Sequence, residues 1–248
     1  ISKNHKKYLK IDENNKTIYF NYPEKDVEIN YEPVNILYED VFLIVAFKPP
    51  FLLVHDDGNN QDTLQARING YLQLNGNRYP AQAIHRIDYE TSGLVLFCKH
   101  PFFQAYCDKN MEEHHIKKDY IALVQGHTNY KNKKIVSNIA RDRHNAKKMI
   151  IHPNGKESIS IFNTLKNYKD CSLIQVTILT GRKHQIRVQC ASLNHPILND
   201  SLYGGKKIDN TGLLLQSHHI QFNDVDITCP QEKRFIRKYK IVYPFKTA

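Results

Sequence analysis

Short apolar runs bounded by turn residues constrain the fold of this chain more than any other feature. Runs of four to eight residues rich in β-branched and aromatic side chains, ending at Gly, Pro, Asn or Asp, are typical of β-strands. The predicted strands cover residues 36–40, 42–47, 83–88, 94–98, 118–124, 158–165, 171–179 and 213–222. Strands therefore dominate the prediction.

Helical spacing is confined to a few segments. A short helix is predicted from residue 63, with Asp62 or Thr63 as its cap, and a second over 101–113. Residues 181–193 are predicted to begin as a loop and continue as a helix. Since strands and helices do not alternate strictly, we predict an α+β fold with a largely antiparallel or mixed sheet and flanking helices.

The N-terminal region differs from the rest. Residues 18–29 alternate in short strand-like stretches broken at 22–26, which is typical of a hairpin. We predict an N-terminal extension at 1–32 and a single main domain at 33–248.

Composition narrows the class of protein. The chain carries 35 Lys and Arg against 25 Asp and Glu, a net charge of +10, which favours a polyanionic partner. Its five cysteines are scattered without the paired spacing of zinc or redox sites, so we expect reduced thiols. No apolar run approaches the ~20 residues of a membrane span, and the polar start lacks a signal sequence. We expect a cytoplasmic protein that does not bind membranes.

The first candidate site is the segment 85–93, His-Arg-Ile-Asp-Tyr-Glu-Thr-Ser-Gly. Asp88 is predicted at the end of a strand, facing a hydroxyl-rich turn. A carboxylate there can act as a nucleophile or base, but an isolated Asp more often caps a turn or forms a surface ion pair.

A second candidate is the segment 180–187, Thr-Gly-Arg-Lys-His-Gln-Ile-Arg. Its cations and amide match phosphates and base edges, although a solvated basic face has the same composition. If the fold brings Arg187 or Arg182 against Asp88, that arginine would hold the carboxylate ionised and oriented.

Two further segments carry weaker signals. Tyr120, in Lys118-Asp119-Tyr120, can present an aromatic face to a base and its hydroxyl can take part in proton transfer, although a lone tyrosine is more often core. The Pro- and Gly-containing loop 195–204 can shape the wall of a cleft.

Together, in this order, these segments resemble the RluA-type pseudouridine synthases. Segment 85–93 is similar to the family's His-Arg-Leu-Asp motif with Thr-Ser-Gly after two residues, and 118–120 to its Lys-x-Tyr element. Segment 180–187 is similar to Thr-Gly-Arg-x-His-Gln-Ile-Arg, 195–204 to the following loop, and 47–50 to an early Asn-Lys-Pro segment. The departures from the pattern are Phe47, Ile87, Lys183 and Gln189.

This resemblance implies a pseudouridine synthase fold with a central RNA-binding cleft, and a catalytic domain at 33–248. It implies that Asp88 is the nucleophile, that Arg187 pairs with it, and that Tyr120 stacks on the target base and helps remove its proton. It implies that Arg86 fills the gap left by the flipped nucleotide. The residues expected to contact RNA are His85, Arg86, Thr91, Lys118, Arg182, Lys183, His184 and Gln185.

The implied activity is isomerisation of a specific uridine in structured RNA, either ribosomal or transfer RNA, to pseudouridine. Asp88 can attack the sugar or the pyrimidine ring, and the sequence leaves both routes open. The reaction is redox-neutral and the sequence contains no metal-ligand cluster, so we expect no metal and no cofactor. RNA is the expected partner of a monomer that requires no other protein.

Two alternatives remain open from the sequence. The first is an RNA-binding module that keeps the fold without chemistry, against which the presence of Asp88 argues. The second is a glycosylase that uses Asp88 to release the base without rejoining it.

Overall fold

The computed structural model describes residues 8–22, 26–58, 62–230 and 232–235. The chain forms two compact units. The first comprises Ile1–Lys48, Leu52–Arg86 and Val95–His115, and the second Pro49–Phe51, Ile87–Leu94 and Ile116–Ala248. Among the described helices, none is long and apolar enough to cross a membrane.

The first unit contains short strands and two helices. Its elements are β1 (Leu9–Asp12), β2 (Thr17–Phe20), β3 (Asn35–Glu39), β4 (Leu43–Lys48), α1 (Leu64–Leu74), β5 (Gln82–Ala83), the latter part of β6 (Ser92–Cys98), and α2 (Pro101–Glu112). Strands β1 and β2 form a separate antiparallel pair, while β4 lies between β3 and β6, and β5 pairs with β6. Because β6 is buried along its whole length, its sequence is a continuous apolar run.

Both helices of this unit begin where the sequence predicts. The hydroxyl of Thr63 caps α1 by accepting a hydrogen bond from the Ala66 N–H at 3.1 Å. The ring of His100 accepts from the Phe102 N–H at 3.2 Å, and Pro101 occupies the first turn of α2, where its missing N–H is harmless.

The second unit, in the part that the structure describes, is a mixed sheet with a helix beside it. Its elements are the start of β6, then β7 (Lys117–Gln125), β8 (Lys133–Arg141), β9 (Met149–Ile151), β10 (Lys156–Asn167), β11 (Cys171–Ile178), α3 (Gln185–Ser192), a 3-10 turn (Ser201–Tyr203), β12 (Leu215–Phe222) and β13 (Val225–Thr228). The strand order is β6-β12-β7-β11-β10-β8-β9, with β13 on β12. Only the β6–β12 pair of this order is parallel. The predicted α+β fold with a mixed sheet is confirmed.

The core of the second unit lies on the central strands. Ile121, Leu123, Leu173 and Leu214 pack with Phe235 and are buried. These residues come from the predicted apolar runs and, in the case of Phe235, from the C-terminal segment. Hydrophobic burial on this sheet is the main stabilising term for the unit.

The strand predicted at 83–88 is wrong. Strand β5 ends at Ala83, and Ile84 makes one more ladder bond, donating its N–H to the Leu96 carbonyl at 2.9 Å. The ring of His85 then accepts from the Leu96 N–H at 3.2 Å. Because a side chain takes the hydrogen bond that a neighbouring strand would take, the backbone leaves the ladder.

Other differences concern strands with polar sequences. Strands β8, β9 and β13 are not predicted, because few of their residues are buried and no apolar run of four or more residues marks them. At the N-terminus, β2 pairs with the unpredicted β1, and the second predicted strand, at 27–29, is irregular. Within the predicted break at 22–26, residues 23–25 lie outside the described residues, and the boundary at residue 32 stays a prediction.

Candidate active site

Asp88 lies in a tight turn of the second unit between buried Ile87 and strand β6. The Thr91 N–H donates to the Asp88 carbonyl at 3.1 Å and closes the turn. The Asp88 side chain is 25% exposed, so one side of the carboxylate reaches solvent. Asp88 therefore combines a fixed backbone with a side chain that solvent can reach.

Gly93 fixes the far end of this turn. Its φ is +112°, and a Cβ built there would lie 2.1 Å from the Ser217 carbonyl oxygen. Ser92 and Gly93 pair in parallel with Gln216 and Ser217 of β12. Only glycine allows this backbone approach, so the turn that carries Asp88 is anchored directly to β12.

Arg187 on α3 contacts Asp88 although 99 residues separate the two in the chain. Its guanidinium is 5% exposed and donates from Nη1 to Asp88 Oδ2 at 3.3 Å. The alternative partner is excluded, because the Arg182 Nε donates to the Glu157 carbonyl at 2.9 Å on the surface. The cation against Asp88 is therefore Arg187.

Asp200 holds the opposite side of Arg187. Its buried carboxylate accepts from Arg187 Nε at 2.7 Å and from Nη2 at 2.8 Å, a two-pronged pair. Burial lowers the pKa of Arg187, but the hydrogen bonds and charge of Asp200, with a smaller contribution from Asp88, outweigh it and raise the pKa above its usual value. Arg187 therefore stays charged and is committed mainly to Asp200.

Buried amides hold α3 in place. Gln185 accepts from Thr180 Oγ1 at 2.9 Å and from the Arg182 N–H at 3.0 Å, and it donates to the Ile159 carbonyl at 3.1 Å and to Ser160 Oγ at 2.8 Å. Gln189, where the family commonly has His, accepts from the Ser160 hydroxyl at 2.8 Å. These bonds tie the helix that carries Arg187 to β10.

His184 forms another side of the site. Its backbone is left-handed, with φ +55°, and its Nε2 lies 4.0 Å from Asp88 Oδ2. Burial lowers its pKa to about 4, so the ring is neutral at pH 7. The Tyr203 hydroxyl accepts from the Met149 N–H at 2.8 Å and lies 2.9 Å from His184 Nδ1. A hydroxyl can donate to Nδ1 or accept a second hydrogen bond from it, so this contact is compatible with either neutral tautomer of His184.

Tyr120 lies at the middle of β7, paired with Ser217 on one side and Val176 on the other. Its side chain is buried, and burial raises the pKa of its hydroxyl well above the usual range. A hydrogen bond from Ser217 opposes this effect, and the charge of Asp88 adds to it. Tyr120 is therefore a neutral phenol close enough to feel the Asp88 charge.

The other predicted RNA-contacting residues divide into two groups. In the second unit, Arg182 and Lys183 are exposed, whereas Thr91, Lys118 and Gln185 are buried. Lys118 donates to the Ile116 carbonyl at 3.4 Å, and burial lowers its pKa to about 8. In the first unit, His85 binds Leu96 as described, and Arg86 Nη1 lies 3.3 Å from His55 Nε2. Their contacts with RNA stay predictions.

The sequence prediction missed Asp200 and Tyr203 as members of this site. Both lie in the loop 195–204, where Asp200 and Tyr203 match the family's loop but were given no role in the site. The available signal was the position of an Asp within a loop that follows a motif ending in Arg187. Within the described parts of the chain, no group of three or more His, Cys, Asp or Glu side chains is arranged to hold a metal ion.

Comparison with known proteins identifies the class. A family profile described as RNA pseudouridylate synthase matches residues 42–192, which is more than half of the chain. The chain belongs to this family, and the resemblance to its RluA-type members is confirmed.

Two bacterial relatives illustrate the similarity. An uncharacterized RNA pseudouridine synthase of Bacillus subtilis (strain 168) is 35% identical over 71% of this chain and 59% of its own length. The ribosomal large subunit pseudouridine synthase C of Buchnera aphidicola is 38% identical over 70% of this chain and 55% of its own length. The chain thus spans somewhat more than half the length of these curated relatives.

A solved structure supports the fold assignment. The human RNA pseudouridylate synthase domain containing 1 superposes with a TM-score of 0.68, covering 82% of this chain and 85% of that chain at 23% identity. At this identity the likeness establishes the fold.

Proposed function

We propose that this protein is an RNA pseudouridine synthase that isomerises a specific uridine in structured RNA, with Asp88 as the nucleophile. One observation carries the proposal. Asp88 is a partly exposed carboxylate held by a buried arginine that is itself fixed by the buried Asp200. A carboxylate that is oriented by a fixed cation and open to solvent on one side has the properties of a nucleophile.

The reaction needs a group that can bond to the substrate and leave again. Asp88 attacks either the anomeric carbon or the pyrimidine ring, and the bond between N1 and the sugar breaks. The base turns, C5 bonds to the sugar, and Asp88 is released as a carboxylate. C5 loses one proton and N1 gains one, so atoms and electrons balance without a cofactor.

Arg187 serves as the electrostatic partner of Asp88. The Nε and Nη2 groups of its guanidinium bind Asp200, and one N–H, that of Nη1, donates to Asp88 at 3.3 Å. This arrangement places a fixed positive charge beside the nucleophile without fixing both of its oxygens. The neutral ring of His184 lies 4.0 Å from the same carboxylate and adds no charge beside it.

Tyr120 acts as a neutral aromatic group. Its raised pKa keeps the proton on the hydroxyl at physiological pH, so it meets the substrate as a phenol. The ring supplies a stacking face for the target base, and the hydroxyl takes part in proton transfer at C5 only by exchanging its own proton.

RNA binding supplies the energy for exposing the target. A nucleotide must leave its stack to reach Asp88, at a cost of a few kcal/mol that is smallest in a loop or bulge. Phosphate contacts from exposed Arg182 and Lys183, within a chain of net charge +10, offset this cost. Arg86 is proposed to occupy the gap left by the flipped nucleotide.

The proposed substrate class is ribosomal or transfer RNA. The name of the Buchnera relative refers to the ribosomal large subunit, which favours ribosomal RNA for this chain as well. Both candidates offer uridines in loops, where flipping costs least.

Tritium release from RNA labelled at C5 of uridine tests the proposal. We expect the wild-type protein to release tritium and form pseudouridine, and Asp88→Asn to do neither. Asp224→Asn is the matched control, because Asp224 is exposed and lies on the turn between β12 and β13. Free uracil among the products would instead identify a glycosylase, and RNA binding without release would identify a silent binding module. Mapping pseudouridines in RNA from cells with and without the protein then names the site.

A further inference from the structure

Two exposed aromatic rings lie beside the nucleophile in the second unit. Phe51 is 46% exposed, and Tyr89, the residue after Asp88, is 47% exposed. Their ring centroids are 5.8 Å apart with an interplanar angle of 67°. Arg187, which contacts Asp88, and Asp200 are charged and buried, so this exposed aromatic pair is chemically distinct from the Arg187 cluster.

Phe51 is held in a conformation that its side chain disfavours. Its φ is +63°, in the left-handed region that bulky residues rarely occupy. The Phe51 N–H donates to the Tyr89 carbonyl at 2.8 Å, which fixes this backbone against the Asp88 turn. Glycine would adopt the same φ without strain. Strained residues of this kind concentrate at ligand-binding sites, where the side chain is needed.

The surrounding backbone is packed closely enough to maintain the strain. A Cβ built on Gly212 would lie 2.8 Å from the Glu90 carbonyl oxygen and 3.0 Å from Pro50 Cβ. The Leu213 N–H also donates to the Glu90 carbonyl at 3.2 Å. Residues 50–51, 89–90 and 212–213 therefore form one tight assembly that carries both rings.

The two rings lie next to Asp88 along the backbone. Arg187, which is 5% exposed, covers one side of the Asp88 carboxylate, so a nucleotide reaches it from the solvent side. Tyr89 follows Asp88 directly, with Cα atoms about 3.8 Å apart, and Phe51 is hydrogen-bonded to the Tyr89 backbone. The turn that carries Asp88 is therefore also the turn against which this exposed aromatic pair is held.

We infer that Phe51 and Tyr89 form an aromatic corner that stacks an unpaired base adjacent to the target uridine. The inference rests on the proposed function and names a specificity contact of the same site. Two rings inclined at 67° give a base one face to stack on and a second ring against its edge. The net charge of +10 favours RNA over an acid-poor protein surface as the occupant.

The corner selects substrates by their local structure. Stacking a base on an aromatic side chain strengthens binding by about ten- to a hundredfold and tolerates any base. A uridine whose neighbour is unpaired gains this contact, whereas one inside a regular helix does not. The protein should therefore prefer uridines in loops, and a neighbouring purine over a pyrimidine, because the purine stacks over a larger area.

The test compares variants on paired substrates. Tyr89→Ala and Phe51→Gly are assayed for pseudouridine formation on a stem-loop RNA and on the same RNA with an abasic nucleotide beside the target, on the 5′ or the 3′ side. Tyr106→Ala is the control, an exposed aromatic substitution in the first unit. We expect about a tenfold rise in KM with little change in kcat for both variants on the intact RNA. On the RNA that lacks the stacked base, we expect the variants and the wild type to have equal KM.

Thermal unfolding separates binding from a structural role. Phe51→Gly removes the left-handed strain, so we expect a melting temperature equal to or above that of the wild type together with the higher KM. A lower melting temperature with unchanged KM identifies the ring pair as a structural clamp and overturns the inference. An equal KM increase on intact and abasic RNA also overturns it. If the wild type forms no pseudouridine on any RNA, the proposed function fails, and fluorescence anisotropy of the same two RNAs still decides whether the corner stacks a base.

Discussion

Two clusters in the second unit place a basic side chain between two carboxylates, and they differ in how that side chain is shared. In the first, Arg187 lies between buried Asp200 and partly exposed Asp88. In the second, His219 on β12 lies between buried Asp119 on β7 and exposed Asp226 on β13. Each cluster has one inner and one outer acid, so the main difference between them is the basic side chain.

The two outer acids are held very differently. Asp226 Oδ1 lies 2.7 Å from His219 Nε2, and its other oxygen accepts from the Gln221 amide at 3.2 Å. Asp88 has a single N–H of Arg187 at 3.3 Å, because two other groups of the fork bind Asp200. Asp226, with both oxygens in contacts, links β13 to β12. Asp88, with one long hydrogen bond to an arginine, stays available for reaction.

Replacing the two outer acids, Asp88 and Asp226, should give the largest difference in activity. We expect Asp88→Asn to lose pseudouridine formation by at least about a thousandfold, because the amide keeps the shape but cannot act as the nucleophile. Asp226→Asn should keep nearly full activity. Single-turnover assays with equal RNA occupancy measure both. Substantial turnover by Asp88→Asn would contradict the nucleophile assignment.

Changes to the arginine should be next in size. Arg187→Ala leaves Asp200 buried without its partner, and we expect it to cost about 3 kcal/mol of stability and most of the activity. Arg187→Lys keeps the charge but loses the fork, so we expect a folded protein with kcat lowered about ten- to a hundredfold. Chemical denaturation and kcat measurements separate the two effects. A fully active Arg187→Lys protein would show that the fork geometry is unimportant.

Tyr120 tests whether the aromatic face or the hydroxyl matters. Tyr120→Phe keeps the face, so we expect normal RNA binding, and kcat reduced only if the hydroxyl moves a proton. Tyr120→Ala loses both and leaves a cavity in β7, so we expect it to lose activity and about 3 kcal/mol of stability. Equal activity in Tyr120→Ala and the wild type would exclude Tyr120 from the site.

The smallest effect is expected at the histidine cluster, and it depends on pH. The hydrogen bond to Asp119 raises the pKa of His219, and the one to Asp226 raises it further, against burial. The group is protonated more readily when folded, so its contribution is full below about pH 6.5 and disappears as pH rises through the folded pKa. Because Asp226 is exposed and solvent screens the pair, we expect less than about 1 kcal/mol.

The comparison of wild type with His219→Gln at pH 5.5 and pH 9 measures this contribution. Subtracting the variant removes the opposite effect of His184, whose pKa burial lowers to about 4. Burial also lowers the pKa of His218 to about 4, and the charge of His219 lowers it further, so the difference includes this coupling. Lys117, 3.6 Å from Asp119, and the Thr177 hydroxyl, which donates to Asp119, are unchanged between the two proteins. A stability difference that grows with pH would reverse the assigned sign. Activity should be equal at each pH.

The site was predictable in its members more than in its contacts. Asp88, Tyr120 and Arg187 stand in motifs that the sequence displays, but order along the chain could not decide between Arg182 and Arg187. Which arginine contacts Asp88 depends on where α3 begins, since Arg182 lies before this helix and binds the Glu157 carbonyl. The role of Asp200 was not predicted, because a single Asp in a loop can have many structural functions.

In the fold, buried strands could be predicted from the sequence, whereas strands that depend on backbone hydrogen bonds could not. Strands β6, β7 and β11 are buried on both faces, and their apolar runs predicted them. Strand β8 exists through its ladder with β10, and hydrogen bonds between backbones leave little trace in side-chain patterns. The segment after β5 failed as a strand because the imidazole of His85 replaces a backbone partner, which periodicity cannot reveal.

The 99-residue separation between Asp88 and Arg187 also has a consequence in time. At about 5–20 residues per second, a ribosome adds Arg187 roughly 5–20 seconds after Asp88. During that interval the nascent chain holds the acidic group with neither the guanidinium nor β12, to which the Asp88 turn is anchored. Phe235, which fills the core of the second unit, is added later still. The growing protein therefore carries Asp88, the proposed nucleophile, before the arginine and the strand that hold it exist, and these contacts form only after synthesis has passed β12.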